Sequence, residues 1–153
     1  MSEHPTSLEE TRVAGRCYCG AITFSVHIPA GAKPIFTAYC HCDSCRRAHA
    51  APLYHVACVE EGMFELTSGA DSLNEFQKPG GTIVRAFCSV CGSRVLNRFP
   101  GWSPGGRVPL AFFPDLIDEA DRRPLPAAFR PRKHNRPDDC VLDREMLERL
   151  FAD

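Results

Sequence analysis

The sequence predicts a mainly β domain of antiparallel strands, with a short helix in its first half and a second helix at its C-terminus. Short apolar or alternating stretches follow one another with no long helix between them. Thirteen prolines and eleven glycines in 153 residues interrupt the chain too often for long helices. Only two stretches carry helical spacing. That layout belongs to an all-β class rather than to alternating β and α units.

The elements follow in chain order. "AITFSVHI" puts Ile22, Phe24, Val26 and Ile28 on one side and Ala21, Thr23, Ser25 and His27 on the other, the pattern of a half-buried strand. "IFTAY", "LYHVACV", "MFELTS", "LNEFQK", "TIVRAFC", "SRVLNRF" and "VPLAFF" are further strands. "PGG" between "LNEFQK" and "TIVRAF" predicts a hairpin turn. Asp43 is placed to cap a short helix running from Ser44 towards Ala50. In "DREMLERLF", Met146, Leu147, Leu150 and Phe151 recur at helical intervals behind a cap at Asp143. Pro124, Pro126, Pro131 and Pro137 make the preceding segment extended and irregular. The expected organisation is a β-rich domain over 12–137 and a helical extension over 138–153.

The N-terminal "MSEHPTSLEETR" is polar and acidic, unlike a secretory leader, and no run of about eighteen apolar residues offers a membrane span. A cytoplasmic protein without a membrane partner is expected. Nine cysteines in such a chain favour metal or redox chemistry over structural disulfides. A formal net charge of −1, which counts every thiol as neutral, does not suggest a dedicated nucleic-acid binder. Nothing in the sequence sets an oligomeric state.

Seven of the cysteines cluster. In a strand, residues two apart face the same side, so "CYC" aims Cys17 and Cys19 together and turns Tyr18 away. "CSVCG" is a knuckle of Cys88 and Cys91, closed by a glycine that can take a positive φ. Joined across a sheet, the two pairs make a four-sulfur tetrahedral site suited to zinc. A disulfide pairing and a rubredoxin-like iron site are the competing readings.

"CHC" repeats the strand argument for Cys40 and Cys42, and Cys45 joins them from the first turn of the short helix. The same alternation turns His41 away from the sulfurs. His49, His55 and Cys58 are candidates for a fourth ligand, Cys58 being the more serious because it lies on the next strand. Closure by Cys58 would make the site structural. Three thiolates alone would leave the fourth position to water or substrate, as in a catalytic zinc site. Cys140 stands apart from every cluster.

"GRCYCGAITFSV", "CHCDSCRRAHAAP" and "RAFCSVCGS" come in an order and spacing that resemble the glutathione-dependent formaldehyde-activating enzyme family, which also includes centromere protein V. The resemblance implies a β-tent fold pinned by two zinc ions per chain. One would be structural, on Cys17, Cys19, Cys88 and Cys91, and one catalytic, on Cys40, Cys42 and Cys45. It also implies a carbon–sulfur lyase that joins glutathione to formaldehyde, or runs that reaction in reverse.

On that reading a small-molecule thiol, glutathione, is the partner. Arg46 and Arg47 are placed to bind its carboxylates by forked hydrogen bonds; the alternative is a solvated helix face. Trp102, in "PGWSPGG", is either a substrate contact or a pin for its loop. The basic run Arg130, Arg132, Lys133, His134 and Arg136 lacks interleaved aromatics and reads as a solvated tail. A zinc-stabilised binding module without chemistry is the competing function, because thiols add to formaldehyde readily unaided.

Overall fold

The computed structural model describes residues 9–150. Among the described residues ten strands form two sheets. β1 (Thr11–Arg16), β2 (Thr23–Ile28) and β5 (Phe64–Ser68) make a small sheet in the order β1-β2-β5. The large sheet takes β3 (Phe36–Cys40), β4 (Tyr54–Glu60), β6 (Leu73–Gln77), β7 (Val84–Cys88), β8 (Arg94–Arg98), β9 (Pro109–Phe112) and β10 (Lys133–Asn135), in the order β10-β3-β4-β9-β8-β7-β6. Every pairing is antiparallel except that of β10 with β3, which is parallel. A mainly β, antiparallel fold is therefore what the chain adopts.

The β2 alternation appears as expected, with Ile22, Phe24, Val26 and Ile28 buried. These side chains meet Ala57, Val59, Leu96, Leu110 and Phe112 from the large sheet. Phe24 stacks on Phe64 at 5.0 Å between ring centroids, and Phe112 meets Phe129 edge-on at 5.3 Å. This is the main core, between the sheets.

A second core lies on the other face of the large sheet, where Ala38, Val56, Cys58, Ala111 and Phe113 pack beside Cys40 and Cys45. Two strands serve both cores. β4 sends Ala57 and Val59 one way and Val56 and Cys58 the other, and the segment around β9 divides Leu110 and Phe112 from Ala111 and Phe113. Strands covered on both faces read as nearly continuous apolar runs.

Several expectations are corrected here. β1 was not among the expected strands, since "TRVAGR" is too polar for a clear alternation; pairing with β2 from Thr11↔Ile28 to Arg16↔Thr23 makes it one. The short helix α1 spans Asp43–His49 and is capped by Cys42, whose Sγ accepts from the Cys45 N–H at 3.4 Å, rather than by Asp43. The basic run is not a loose tail. Lys133, His134 and Asn135 pair with Ala38, Tyr39 and Cys40, and the Thr37 hydroxyl donates to the Arg130 carbonyl at 2.7 Å. Arg130, Arg132 and Arg136 remain exposed, while Lys133 lies over the Phe36 ring and His134 stacks on His41.

A short helix α2 (Glu119–Arg122) precedes the proline-rich segment, and α3 (Arg144–Leu150) ends the described chain. Asp143 accepts from the Glu145 N–H at 2.7 Å, the cap anticipated for α3. Met146 is exposed, and Phe151 lies outside the described residues.

Candidate metal centres

Cys17 and Cys19 follow the end of β1, while Cys88 ends β7 and begins the turn to Cys91. The structure brings these four sulfurs within 4.8 Å of one another. Cys17 Sγ lies 3.6 Å from Cys19 Sγ, and Cys19 Sγ lies 3.8 Å from Cys88 Sγ. Tetrahedral thiolates about 2.3 Å from one zinc are separated by roughly 3.8 Å, whereas a disulfide needs about 2 Å. The donor set fits zinc, and none of the nine cysteines is in a disulfide.

Backbone donors surround these sulfurs. The Ile22 N–H donates to Cys17 Sγ at 3.4 Å and the Ala21 N–H to Cys19 Sγ at 3.5 Å. Ser93 holds the Cys91 thiol down to about 5, first through its hydroxyl and then through its backbone. Gly92 takes φ +78, the left-handed value the knuckle requires. The cluster ties the start of the chain to the β7–β8 turn.

The second group is Cys40, Cys42 and Cys45, whose sulfurs also lie within 4.8 Å of one another. Cys40 ends β3, Cys42 caps α1, and Cys45 hangs from its first turn. The Cys45 thiol is drawn down to about 4, by the Cys40 thiol first and then by Cys42, Tyr54 and Arg85, against its burial. Cys40 is pushed up correspondingly, chiefly by Cys45. Cys45 is thus the preferred thiolate of the group, and a soft divalent metal suits all three sulfurs.

Among the described residues no other His, Cys, Asp or Glu joins this group. Cys58 shares the sheet face but lies opposite Phe36, four residues along from Cys40's position on β3. At the rise of an extended strand that is about 13 Å. His41 turns away, as alternation requires, and its Nε2 meets Nδ1 of His134 at 2.8 Å. His55 donates to the Phe129 carbonyl at 2.7 Å from the other side of the sheet. His49 stacks on Tyr54 at 4.0 Å, and burial first, then Arg94, lowers it to about 4. Cys140 sits outside both groups, donating to the Leu142 carbonyl at 3.5 Å.

Arg46 is engaged locally, with its side chain bound to Asp43 and to the His41 carbonyl. Arg47 is exposed. Both arginines line an open cleft of about 480 Å³ with Asp43, Ala50, Ala51 and Pro52. Trp102 rests on Phe36 at 6.3 Å and on Phe99 at 5.5 Å, at the end of β3 remote from Cys40.

Three neighbours of the second group escaped the sequence reading. Tyr54 stands directly opposite Cys40 across β3 and β4, and burial first, then the Cys45 and Cys40 charges, raises its hydroxyl. Arg85 donates from Nη2 to Cys45 Sγ at 3.7 Å. Arg94 is lowered by burial and then by Arg85, and also senses Tyr54 and Cys45. The available signal was weak and held for Arg85 alone, an arginine inside the largely apolar "TIVRAFC".

Two antiparallel-rich sheets carrying one four-sulfur and one three-sulfur group define a β-rich domain of the zinc-binding class. The more particular assignment comes from relatives. A sequence profile described as "Glutathione-dependent formaldehyde-activating enzyme" matches residues 12–124, and the chain belongs to that family. A Halomonas elongata protein, whose name assigns it provisionally to glutathione-dependent formaldehyde activation, is 28% identical over 145 residues, covering 90% of this chain and 85% of its own. A Rhodobacter sphaeroides crystal structure superposes with a TM-score of 0.52 at 21% identity, over 74% of this chain and 97% of that one, which is a likeness of fold.

Proposed function

We propose that the protein is a carbon–sulfur lyase-type enzyme acting on the adduct of a thiol, glutathione, with formaldehyde or a similar small electrophile. The observation that carries this reading is the Cys40–Cys42–Cys45 group, for which no fourth His, Cys, Asp or Glu ligand lies in reach among the described residues. The catalytic unit would be residues 12–137, with 138–153 as an extension. Two zinc ions are assigned, one structural on Cys17, Cys19, Cys88 and Cys91, and one catalytic on Cys40, Cys42 and Cys45. A cytoplasmic location is part of the same proposal; no helix among the described residues is long and apolar enough to cross a membrane.

When bound, zinc supplies Lewis acidity that keeps a coordinated thiol deprotonated near neutral pH. The remaining work falls to the chain. Cys40, Cys42 and Cys45 would leave the fourth ligand position to an incoming sulfur, which would attack the carbonyl carbon of the aldehyde. A carbon–sulfur bond forms, the carbonyl π pair moves to oxygen, and that oxygen takes a proton. Tyr54, held protonated by burial and by the thiolates beside it, would offer that oxygen a hydrogen bond, and the proton it takes would be the one released by the incoming thiol, passed through solvent. Arg46 and Arg47 would take a glutathione carboxylate at the mouth of their cleft, Arg47 being the one without an ion pair among the described residues. Trp102 would reach only an extended thiol, given its place at the far end of β3.

The test is the rate of S-hydroxymethylglutathione formation, followed by NMR exchange against the uncatalysed rate. Wild type should accelerate exchange and Cys42→Ser should not, with the melting transition retained. No acceleration by zinc-loaded wild type would leave a zinc-stabilised binding module as the function.

A further inference from the structure

The register of β7 and β8 places unusual chemistry beside the second cysteine group. Arg85 lies opposite Asn97, so the two side chains share a sheet face. Between Ala86 and Phe87 the register slips, and Phe87 pairs with Arg94 rather than with Val95. Phe87 is two residues from Arg85 and shares its face, so the bulge delivers Arg94 to the Arg85 side. Val95 and Leu96 remain in the main core. Without that slip, strict alternation would set Arg94 on the same side as Leu96.

The two guanidinium groups are unusually short of partners. Arg85 spends Nη2 on Cys45 Sγ and leaves Nη1 buried and unpaired. Arg94 leaves both Nε and Nη2 buried and unpaired. Those two atoms form the side-on fork of a guanidinium, whose parallel N–H bonds match the two oxygens of a carboxylate. Nε2 of His49, stacked on Tyr54, is also buried without a partner. Among the described residues neither Arg85 nor Arg94 makes an ion pair with a carboxylate. Buried donors are paired in the great majority of cases, so a group of orphans calls for an explanation. Arg46, by contrast, is already satisfied by Asp43 and the His41 carbonyl.

Charge accounts for an incoming thiolate, and the unpaired fork for a carboxylate. Three thiolates around a divalent metal carry a net negative charge, which two arginines exceed. An incoming thiolate alone would bring the centre to neutrality but leave the Arg94 fork empty. A ligand with both a sulfur and a carboxylate answers both deficits.

We propose that the free edges of Arg94 and Arg85 form a carboxylate-binding site beside the Cys40–Cys42–Cys45 group, which takes the carboxylate of the incoming thiol. This rests on reading that group as a thiol-accepting metal centre. It makes Arg94 a specificity residue for acidic thiols, separate from the exposed Arg46–Arg47 cleft.

The test uses cobalt-substituted protein titrated with 3-mercaptopropionate and with mercaptoethanol, which differ mainly in the carboxylate, and reads thiolate-to-cobalt absorption. Wild type should bind mercaptopropionate more tightly by roughly tenfold or more, the scale of a charge-assisted pair. Arg94→Gln should erase that preference, weakening mercaptopropionate far more than mercaptoethanol. If Arg94→Gln does not fold, Arg94→Lys takes its place, since it keeps the charge and removes the fork; the same loss is expected. Equal affinities in wild type, or equal weakening of both thiols in the variant, would overturn the proposal and leave the arginines as counter-charges to the thiolates. If neither thiol alters the spectrum, the thiol-accepting reading itself fails. The carboxylate site is then decided by propionate and the zinc-loaded protein: a raised melting temperature in wild type but not in Arg94→Gln supports it, and no shift overturns it.

Discussion

Single cysteines divide into two roles by what their loss would disconnect. Cys88 sits in a group that binds the start of the chain to the β7–β8 turn across a sequence gap of 69 residues. A closed structural zinc site contributes on the order of 10 kcal/mol of apparent folding free energy in small domains. Cys88→Ser should therefore abolish the cooperative melting transition or lower it drastically, measured by circular dichroism with metal content in parallel. Cys42 belongs to a group spanning only six residues, from Cys40 to Cys45, which closes a short loop already held by α1. Cys42→Ser should keep the fold and lose one equivalent of metal, while serine, itself a favoured N-cap, retains the α1 cap. Similar melting behaviour for the two variants would refute this division. Cys17, Cys19, Cys40, Cys42, Cys45, Cys88 and Cys91 were all legible in the sequence as close-spaced clusters, although Cys17 and Cys19 sit in the turn after β1 and Cys42 caps α1 instead of lying along strands. Tyr54, Arg85 and Arg94 were not: Tyr54 meets Cys40 only through the register of β3 against β4, and nothing local ties a residue on β7 or β8 to a helix forty or more residues earlier.

Elements show where close packing sets limits. Gly15 lets β1 cross the edge of the main core: a Cβ there would lie 2.3 Å from Phe24 Cζ and 2.7 Å from the Leu116 carbonyl oxygen. Gly15→Ala should destabilise by about 1–3 kcal/mol, as overpacking of a filled core does, and the shift in denaturation midpoint measures it. The metal groups should be unaffected apart from that loss. β10 closes the outer edge of β3 and brings Asn135 opposite Cys40, so that the His41 N–H donates to the Asn135 carbonyl at 3.0 Å. Thr37→Val removes the hydroxyl that holds the Arg130 carbonyl and should cost about 1–2 kcal/mol. Faster hydrogen exchange confined to 130–136 and β3 would mark that loss as local. Neither β1 nor β10 carries an apolar alternation of its own; each becomes a strand by pairing with a neighbour.

For the whole molecule, three histidines are held neutral by the fold. Burial lowers His41, His49 and His55 from their ordinary value, His49 to about 4. The unfolded chain binds these protons first, with a histidine value near 6.5. Stability is therefore full above about pH 7 and falls as pH drops from about 6.5 towards 4. His49 alone contributes roughly 2–3 kcal/mol to that loss. Melting temperatures between pH 7 and pH 5 should fall accordingly. His49→Phe, which keeps the ring stack on Tyr54, should flatten the slope if this histidine is responsible. An unchanged slope would assign the acid sensitivity to His41 and His55 or to metal release from the thiolates.

Local chemistry determined the strands with clear alternation, the hairpin at "PGG", the α3 cap at Asp143 and the two groups of clustered cysteines, since each rests on spacings of a few residues. Tertiary structure decided the rest. It separated Cys58 from Cys40 by the register of β3 against β4, made β4 and the β9 segment serve two cores, and turned the basic run into a parallel edge strand. It also used a one-residue slip between β7 and β8 to bring Arg94 beside Arg85. The physical reason is common to all four. Which residues meet across a sheet depends on pairing register, and register is set by the packing of distant segments rather than by the residues on either side of a given position.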